Sequence, residues 1–321
     1  MPTALITGIN GQDGSYLAEF LLEQGYRVVG LMRPDASARC GRIDHIRNQL
    51  ELLQGSLLDD RYLRELLREY RPNEVYNLAA RASSLQLFDD PVSTGDFNGL
   101  SVVRLLEAIR TVDPAIRFCQ ASSSEMFGNA EQSPQNESTP FRPRNPYGIA
   151  KLFAHGMVGT YREHFGVFAC SSILFNHESP RRGSEFVTRK ITMGVARIKA
   201  GLADSLQLGN LEATRDWGYA GDYVRAMWLM LQAKTPNDYI VATGESHSVR
   251  EFYEIAFAYA GLNYRKYVHV DPGVQRAPES VRLIGDATKA RTVLDWRPTV
   301  SFEQLVWMMV DTDIQNFCRG G

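Results

Sequence analysis

A doubly wound α/β fold, a parallel sheet with helices on both faces, is the architecture this sequence predicts, and three observations predict it. Apolar strand-like runs alternate with amphipathic helical runs through the first half of the 321-residue chain, the pattern that requires parallel pairing with helical crossovers. The first apolar run leads directly into a glycine-rich stretch, TGINGQDG, at 7–14. A YxxxK pair, Tyr147 and Lys151, follows a serine cluster at the end of a later strand-like run. A chain of this length holds one large α/β domain or a domain with a smaller lobe.

The elements follow in order. ALIT reads as the first strand. Gly8 then turns the chain sharply, Gly11 brings bare backbone against a pyrophosphate, and Gly14 lets the next helix pack closely on the strand. That helix, YLAEFLLEQ, offers its unpaired N-terminal N–H groups to an anion, so Asn10, Gln12 and Asp13 within the turn are cofactor candidates with the three glycines. RVVGLM and LELLQG read as the second and third strands, RYLRELLREY as a helix, and EVYNLAA as the fourth strand. SVVRLLEAIRTV is the next helix and RFCQASS the strand that ends in serines. From Asn176 the rhythm changes, with Pro, Arg and Gly clustered in NHESPRRGSEF. Sheet-like DYIVATG and helical REFYEIAFAYAG follow, which predicts a smaller C-terminal lobe that partly returns to the main sheet.

Bulk properties narrow the function. With 35 basic and 37 acidic residues the net charge is -2, so no nucleic-acid or membrane-surface partner is expected. Cys40, Cys119, Cys170 and Cys318 make no CxxC pair and suit reduced thiols better than a disulfide framework. No metal site is expected. No basic and apolar leader precedes the first strand, and no run approaches the roughly 20 apolar residues of a membrane span. The expected compartment is the cytoplasm.

Three groups carry chemistry. The second strand ends in GLMRPD, where such folds meet the adenine ribose. Arg33 there suits the 2′-phosphate of NADP; a solvated surface arginine is the alternative, and Asp35 leaves NAD open. Tyr147 and Lys151 are four apart, which puts both on one helix face. A Lys ammonium beside a phenol favours phenolate, so the expectation is a lowered tyrosine pKa and a base able to take a sugar hydroxyl proton. Ser123, Ser124 and Glu125, in QASSSEMFG, lie at the strand edge where ligands sit. Their hydroxyls can orient a substrate, and Glu125 is either a second acid/base group or a cap for the next turn.

With these motifs in view, the chain resembles the extended short-chain dehydrogenase/reductase family, most closely its GDP-mannose 4,6-dehydratase branch. The resemblance runs through ASSSEMFG, ESTPFRPRNPYGIAK, ILFNHESPRRGSEFVTRKI, LGNLEATRDWGYAGDYVRAMWLMLQ and IGDATKARTVLDWRP. It implies an internal redox cycle on a GDP-sugar with NADP. Tyr147 takes the C4 hydroxyl proton as C4 is oxidised, Glu125 takes the C5 proton, and water leaves C6 with help from Ser123. Hydride then returns to C6. By position, the resemblance places Ser56, Leu57, Leu78, Ala79, Ala80, His177 and Arg182 at the cofactor. It places Ser83, Ser124, Asn176, Val187, Lys190, Gly209, Arg215, Arg276 and Glu279 at the substrate. It also implies an NADP-binding domain over 1–175, with return segments near 214–245 and 281–297, and a mainly sugar-nucleotide-binding lobe over 176–321.

Some positions depart from the family pattern. Ser123 stands where threonine is usual, and Ser56 where an aspartate often meets adenine, with Asp59 as a substitute or a helix cap. Arg81 to Phe88 replaces the usual segment facing the hexose. This leaves two activities open, the dehydratase and a GDP-sugar 4-reductase or 4-epimerase, and only the first requires Glu125. Pro34 to Ser37 replaces a loop that in the family helps build a tetramer, so a homodimer stands beside a homotetramer.

Overall fold

The computed structural model describes residues 1–34, 41–82, 88–270 and 282–318. Strand β1 (Thr3–Thr7) leads into helix α1 (Gln12–Glu23), β2 (Arg27–Met32), β3 (Leu50–Gln54), α2 (Asp60–Tyr70) and β4 (Glu74–Asn77). Helix α3 (Pro91–Gly95) passes through a π turn at Asp96–Leu100 into α4 (Ser101–Val112), and β5 (Arg117–Ser123), α5 (Pro146–Phe165) and β6 (Ala169–Leu174) follow. The second half comprises β7 (Asn176–Glu178), α6 (Val187–Lys199), β8 (Leu206–Leu208), β9 (Thr214–Arg215), β10 (Trp217–Tyr219) and α7 (Ala220–Gln232). It ends with β11 (Asp238–Val241), β12 (His247–Ser248), α8 (Val249–Tyr259), β13 (Val268–Val270), α9 (Thr288–Val293) and α10 (Phe302–Cys318).

Seven parallel strands form the main sheet in the order β11-β6-β5-β4-β1-β2-β3. The order reverses at β1, between β4 and β2, so a crevice opens at the carboxyl ends of β1 and β4. Both faces are covered, which is why the strands read as apolar runs. On β1, Ala4 and Ile6 pack toward α1 and α7, while Leu5 packs toward α2, α4 and α5. Leu5 and Ile6, both fully buried, contribute about 2 kcal/mol each. Asp59 resolves as a cap: its carboxylate accepts from Tyr62 N at 3.0 Å and starts α2.

The later segments divide. Helix α7 packs on α1 and β11 extends the sheet, and Leu283, Ala287, Ala290 and Trp296 join the same core. Helices α6, α8 and α10 bury a separate core around Val195, Phe252, Phe257 and Val306. Asp216 fastens these parts together. Its carboxylate accepts from Thr243 N and Oγ1, Gly244 N and Gly285 N at 2.6–3.1 Å. Among the described residues no helix is long and apolar enough to cross a membrane, and no group of three His, Cys, Asp or Glu side chains is placed to hold a metal ion.

Candidate active site

The glycine turn is shaped by close approaches of backbone to backbone. Gly8 has φ +71°, and a Cβ there would lie 2.9 Å from Ala79 Cα; only glycine takes this conformation without strain. At Gly14 a Cβ would lie 2.3 Å from the Gly8 carbonyl oxygen, so α1 can rest on the turn only with a hydrogen there. Gly11 is the N-cap of α1 and supplies no side-chain cap, which leaves first-turn N–H groups without a side-chain partner, as an anion site requires. The turn opens into a cavity of about 500 Å³ whose walls include Gly11, Asp13, Arg33, Leu78, Ala80 and Arg182. These groups fit a dinucleotide: bare backbone and a helix N-terminus for its pyrophosphate, and cations for further phosphate charge. Behind the turn, Ser56 Oγ accepts from Leu58 N at 3.2 Å and Leu57 is buried in the core. Asn10 stands in the turn itself, its carbonyl accepting from Arg42 at 3.4 Å.

His177 and Asp13 pair across this region, Nε2 to Oδ2 at 2.9 Å, while His177 Nδ1 meets the Phe175 carbonyl at 2.8 Å. Burial alone would push Asp13 up and His177 down. Their mutual attraction overrides it, so Asp13 falls below the ordinary carboxylate value and His177 rises above the ordinary imidazole value. Both ring nitrogens of His177 are therefore used within the protein. Gln12 adds a second tie, donating to the His177 carbonyl at 3.1 Å and accepting from Ser179 Oγ at 2.8 Å. Arg182 lies over the Phe186 ring at 3.6 Å and pairs with Glu178 at 3.2 Å.

Ser123, Glu125, Tyr147 and Lys151 form an adjoining cluster. Ser123 closes β5, and its Oγ accepts from Glu125 N at 3.2 Å within the short turn Ser124–Met126. Glu125 does not cap the turn with its side chain. Instead, its Oε2 accepts from Asn145 Nδ2 at 2.8 Å. Tyr147 and Lys151 share one face of α5, the ammonium 5.7 Å from the phenol ring centre. Lys151 Nζ donates to the Ala121 carbonyl at 2.7 Å. Here the sequence expectation is corrected: the phenol is pushed up to about 12, because burial outweighs the hydrogen bond from Ser123 that favours phenolate. Burial also brings Lys151 down to about 8. Asp13 acts electrostatically on both groups and Arg182 on the phenol, which joins this cluster to the glycine-turn cavity.

Several participants were not legible in the sequence. A buried hydrogen-bond chain runs from Ala79 N to Thr7 Oγ1 (3.2 Å) and on to Asn77 Oδ1 (2.6 Å). Asn77 Nδ2 donates to Gln120 Oε1 (2.8 Å), and Gln120 Nε2 to the Ala121 carbonyl (2.9 Å), the acceptor used by Lys151. The glycine turn and the lysine are thus linked across three strands. Asn98, in the π turn, clamps Arg81 by accepting from its N at 2.9 Å and donating to its O at 3.1 Å. Arg81 in turn reaches Asp90 at 3.1 Å and lines the cavity rather than standing free. A π turn beside a cleft is a recurring functional device, and no residue pattern announces it.

Apart from Ser124, the proposed substrate residues that the structure describes stand in the second half. Asn176 begins β7, Val187 and Lys190 occupy the first turn of α6, Gly209 follows β8, and Arg215 ends β9 with a hydrogen bond to the Thr214 carbonyl at 2.7 Å. Ser124 is buried and begins the short turn after β5. Ser83, Arg276 and Glu279 lie outside the described residues.

A model of the family described as GDP-mannose 4,6 dehydratase matches residues 5–309. The chain belongs to this family. It is 51% identical to GDP-mannose 4,6 dehydratase 1 of Arabidopsis thaliana, over 97% of this chain and 90% of that protein. It is 46% identical to the GDP-mannose 4,6 dehydratase of Homo sapiens, over 97% and 91%. Among solved structures, the UDP-glucose 4-epimerase of Thermus thermophilus, determined as a complex with NAD, is 26% identical and superposes with a TM-score of 0.83 over 97% of this chain and 98% of that one. The family assignment also gives Glu125 its context, since it lies in one of the stretches by which the sequence resembles the dehydratase branch.

Proposed function

We propose that the chain is a lyase that converts GDP-mannose to GDP-4-keto-6-deoxymannose. The family membership supports the substrate and the reaction, and one observation carries the mechanism: a carboxylate, Glu125, is held by a donor at 2.8 Å beside the Ser123, Tyr147 and Lys151 cluster. A bound nicotinamide supplies the hydride acceptor and, later, the donor. Tyr147 takes the C4 hydroxyl proton as phenolate, a state that burial opposes; the Ser123 hydrogen bond and the Lys151 ammonium on the same helix face favour it, and the positive charge of an oxidised nicotinamide would add to them. A C4 ketone acidifies C5, and Glu125 then takes the C5 proton. Hydroxide then leaves C6 as water, taking up the proton that Tyr147 gained from the C4 hydroxyl, with the Ser123 hydroxyl, hydrogen-bonded to Tyr147, assisting the transfer. Glu125 returns a proton to C5 at the end.

NADP is the cofactor on this reading, because Arg33, Arg42 and Arg182 line one cavity and a guanidinium matches a 2′-phosphate. Residues 1–175, with the return segments near 214–245 and 281–297, serve the cofactor, and 176–321 mainly the sugar nucleotide. A homodimer or homotetramer is supported by an exposed apolar face comprising Val92, Leu100, Ile149 and Phe153, on the contiguous α3, π turn and α5. Cys119 and Cys170 face each other in register on β5 and β6 as free thiols, which suits the reducing cytoplasm.

The test is mass spectrometry of GDP-mannose after incubation with the purified protein and catalytic NADP. Loss of one water with a 4-keto product is the expected result, abolished by Glu125→Gln. Unchanged mass with inverted C4 would instead identify a 4-epimerase, and stoichiometric consumption of added NADPH with a GDP-4-keto-sugar a reductase.

A further inference from the structure

We propose that Asn145 is the positioning residue for Glu125, holding the carboxylate in place to take the C5 proton. This rests on the dehydratase reading and adds to it a residue that the reading does not assign.

The argument begins with what Asn145 can offer. Its side chain has one acceptor oxygen and one NH2 donor. The oxygen is committed, because Oδ1 accepts from Gly148 N at 2.8 Å and caps α5. A backbone N–H can only donate, so this contact fixes which end of the amide is which. The NH2 end must then face Glu125, and Nδ2 donates to Oε2 at 2.8 Å. A donor at that distance suits a carboxylate, turns Oε2 toward Asn145 and leaves Oε1 for a reacting proton.

The backbone makes the arrangement rigid. Pro146 follows Asn145 at the first helical position, and Asn145 is extended, with φ -145° and ψ 160°, as a residue before proline prefers. Gly148 lets the first turn of α5 press against Glu125: a Cβ there would sit 2.6 Å from the Glu125 carbonyl oxygen. The helix N-terminus thus lies beside the acid, where its dipole favours negative charge. One side chain therefore starts the helix that carries Tyr147 and Lys151 and orients the carboxylate 20 residues earlier in the chain.

Asn145→Ser separates the two roles. Serine caps a helix about as well as asparagine, so far-UV circular dichroism should not change, but it has no amide to reach Glu125. In a single turnover of GDP-mannose with NADP in D2O, the C4 oxidation rate, read as reduced-nicotinamide absorbance, should stay within about twofold of wild type. Deuterium entry at C5 should slow at least about tenfold, less than the roughly 10²- to 10⁴-fold effect of a general acid–base group itself, so the reduced cofactor accumulates transiently. Equal slowing of both steps would overturn the proposal, since it would place the effect on α5 as a whole, and so would wild-type rates for both. A wild-type protein that neither reduces the cofactor nor dehydrates GDP-mannose would sink the dehydratase reading instead. A thermal double-mutant cycle of Asn145→Ser with Glu125→Ala then decides separately: coupled Tm losses support the contact, and additive losses overturn it.

Discussion

The two ends of the cleft are built by opposite means. At the cofactor end, consecutive residues from Thr7 to Gly14 shape the site, largely through backbone groups and missing side chains. At the reaction end, side chains do the work and their partners are remote: Asn145 reaches back 20 residues to Glu125, and Lys151 reaches back 30 to the Ala121 carbonyl. The first kind of site depends on steric permission and is damaged by adding atoms. The second depends on hydrogen bonds and burial, and is damaged by removing single polar groups.

That contrast is open to attack at both ends. The largest effect is expected from Tyr147→Phe, which removes the proton acceptor without disturbing the turn. Activity with GDP-mannose should fall on the order of 10³-fold, while NADP binding, followed by fluorescence titration, stays within about twofold. Comparable losses in both would mean that the two ends are not separable.

Gly14→Ala comes next and acts the other way. Its methyl would meet the Gly8 carbonyl at 2.3 Å, an overpacking that costs about 3 kcal/mol. A lower urea midpoint together with lost NADP affinity is expected; a fully stable variant with normal cofactor affinity would show that the turn can relax.

Asp13→Asn probes the tie between the ends and should cost about 2 kcal/mol, short of a fully buried pair because Asp13 keeps some exposure. Its pH dependence is diagnostic. The folded-state value of Asp13 is lowered from 3.8, so its contribution is present above that value and fades as pH falls through the lower folded one. That of His177 is raised from 6.5, so its contribution is full below 6.5 and fades as pH climbs through the higher folded value. The stability difference between wild type and variant should peak between these limits and shrink on either side; a flat difference from urea titrations across pH would count against the pair.

The smallest effect is expected at Arg33. Arg33→Ala should weaken NADP about tenfold, roughly 1.4 kcal/mol, and leave NAD unchanged, which a competition titration reads directly. Equal losses for both cofactors would remove Arg33 from 2′-phosphate recognition.

How much of this was legible follows from the same contrast. The parallel pairing, the glycine roles and the shared face of Tyr147 and Lys151 depend on spacings and alternations along the chain, which periodicity reveals. Asn145 was not singled out in the sequence, because its role depends on a partner 20 residues away. The expected lowering of the Tyr147 pKa was reversed because a spacing of four reports neighbourhood and says nothing of solvent. Burial sets that pKa, and burial belongs to the whole fold.

What the sequence by itself determined is therefore the local and the repetitive: strand and helix periods, a turn that only glycine permits, and a helix carrying a phenol and an ammonium on one side. The tertiary structure decided which polar groups meet across 164 residues, as His177 and Asp13 do, which arginine lines the cleft, and how dry the phenol is. The physical reason is that dihedral preference and apolar period act over one or two turns of chain, whereas desolvation and hydrogen bonding between distant segments exist only after the sheet has closed its two faces.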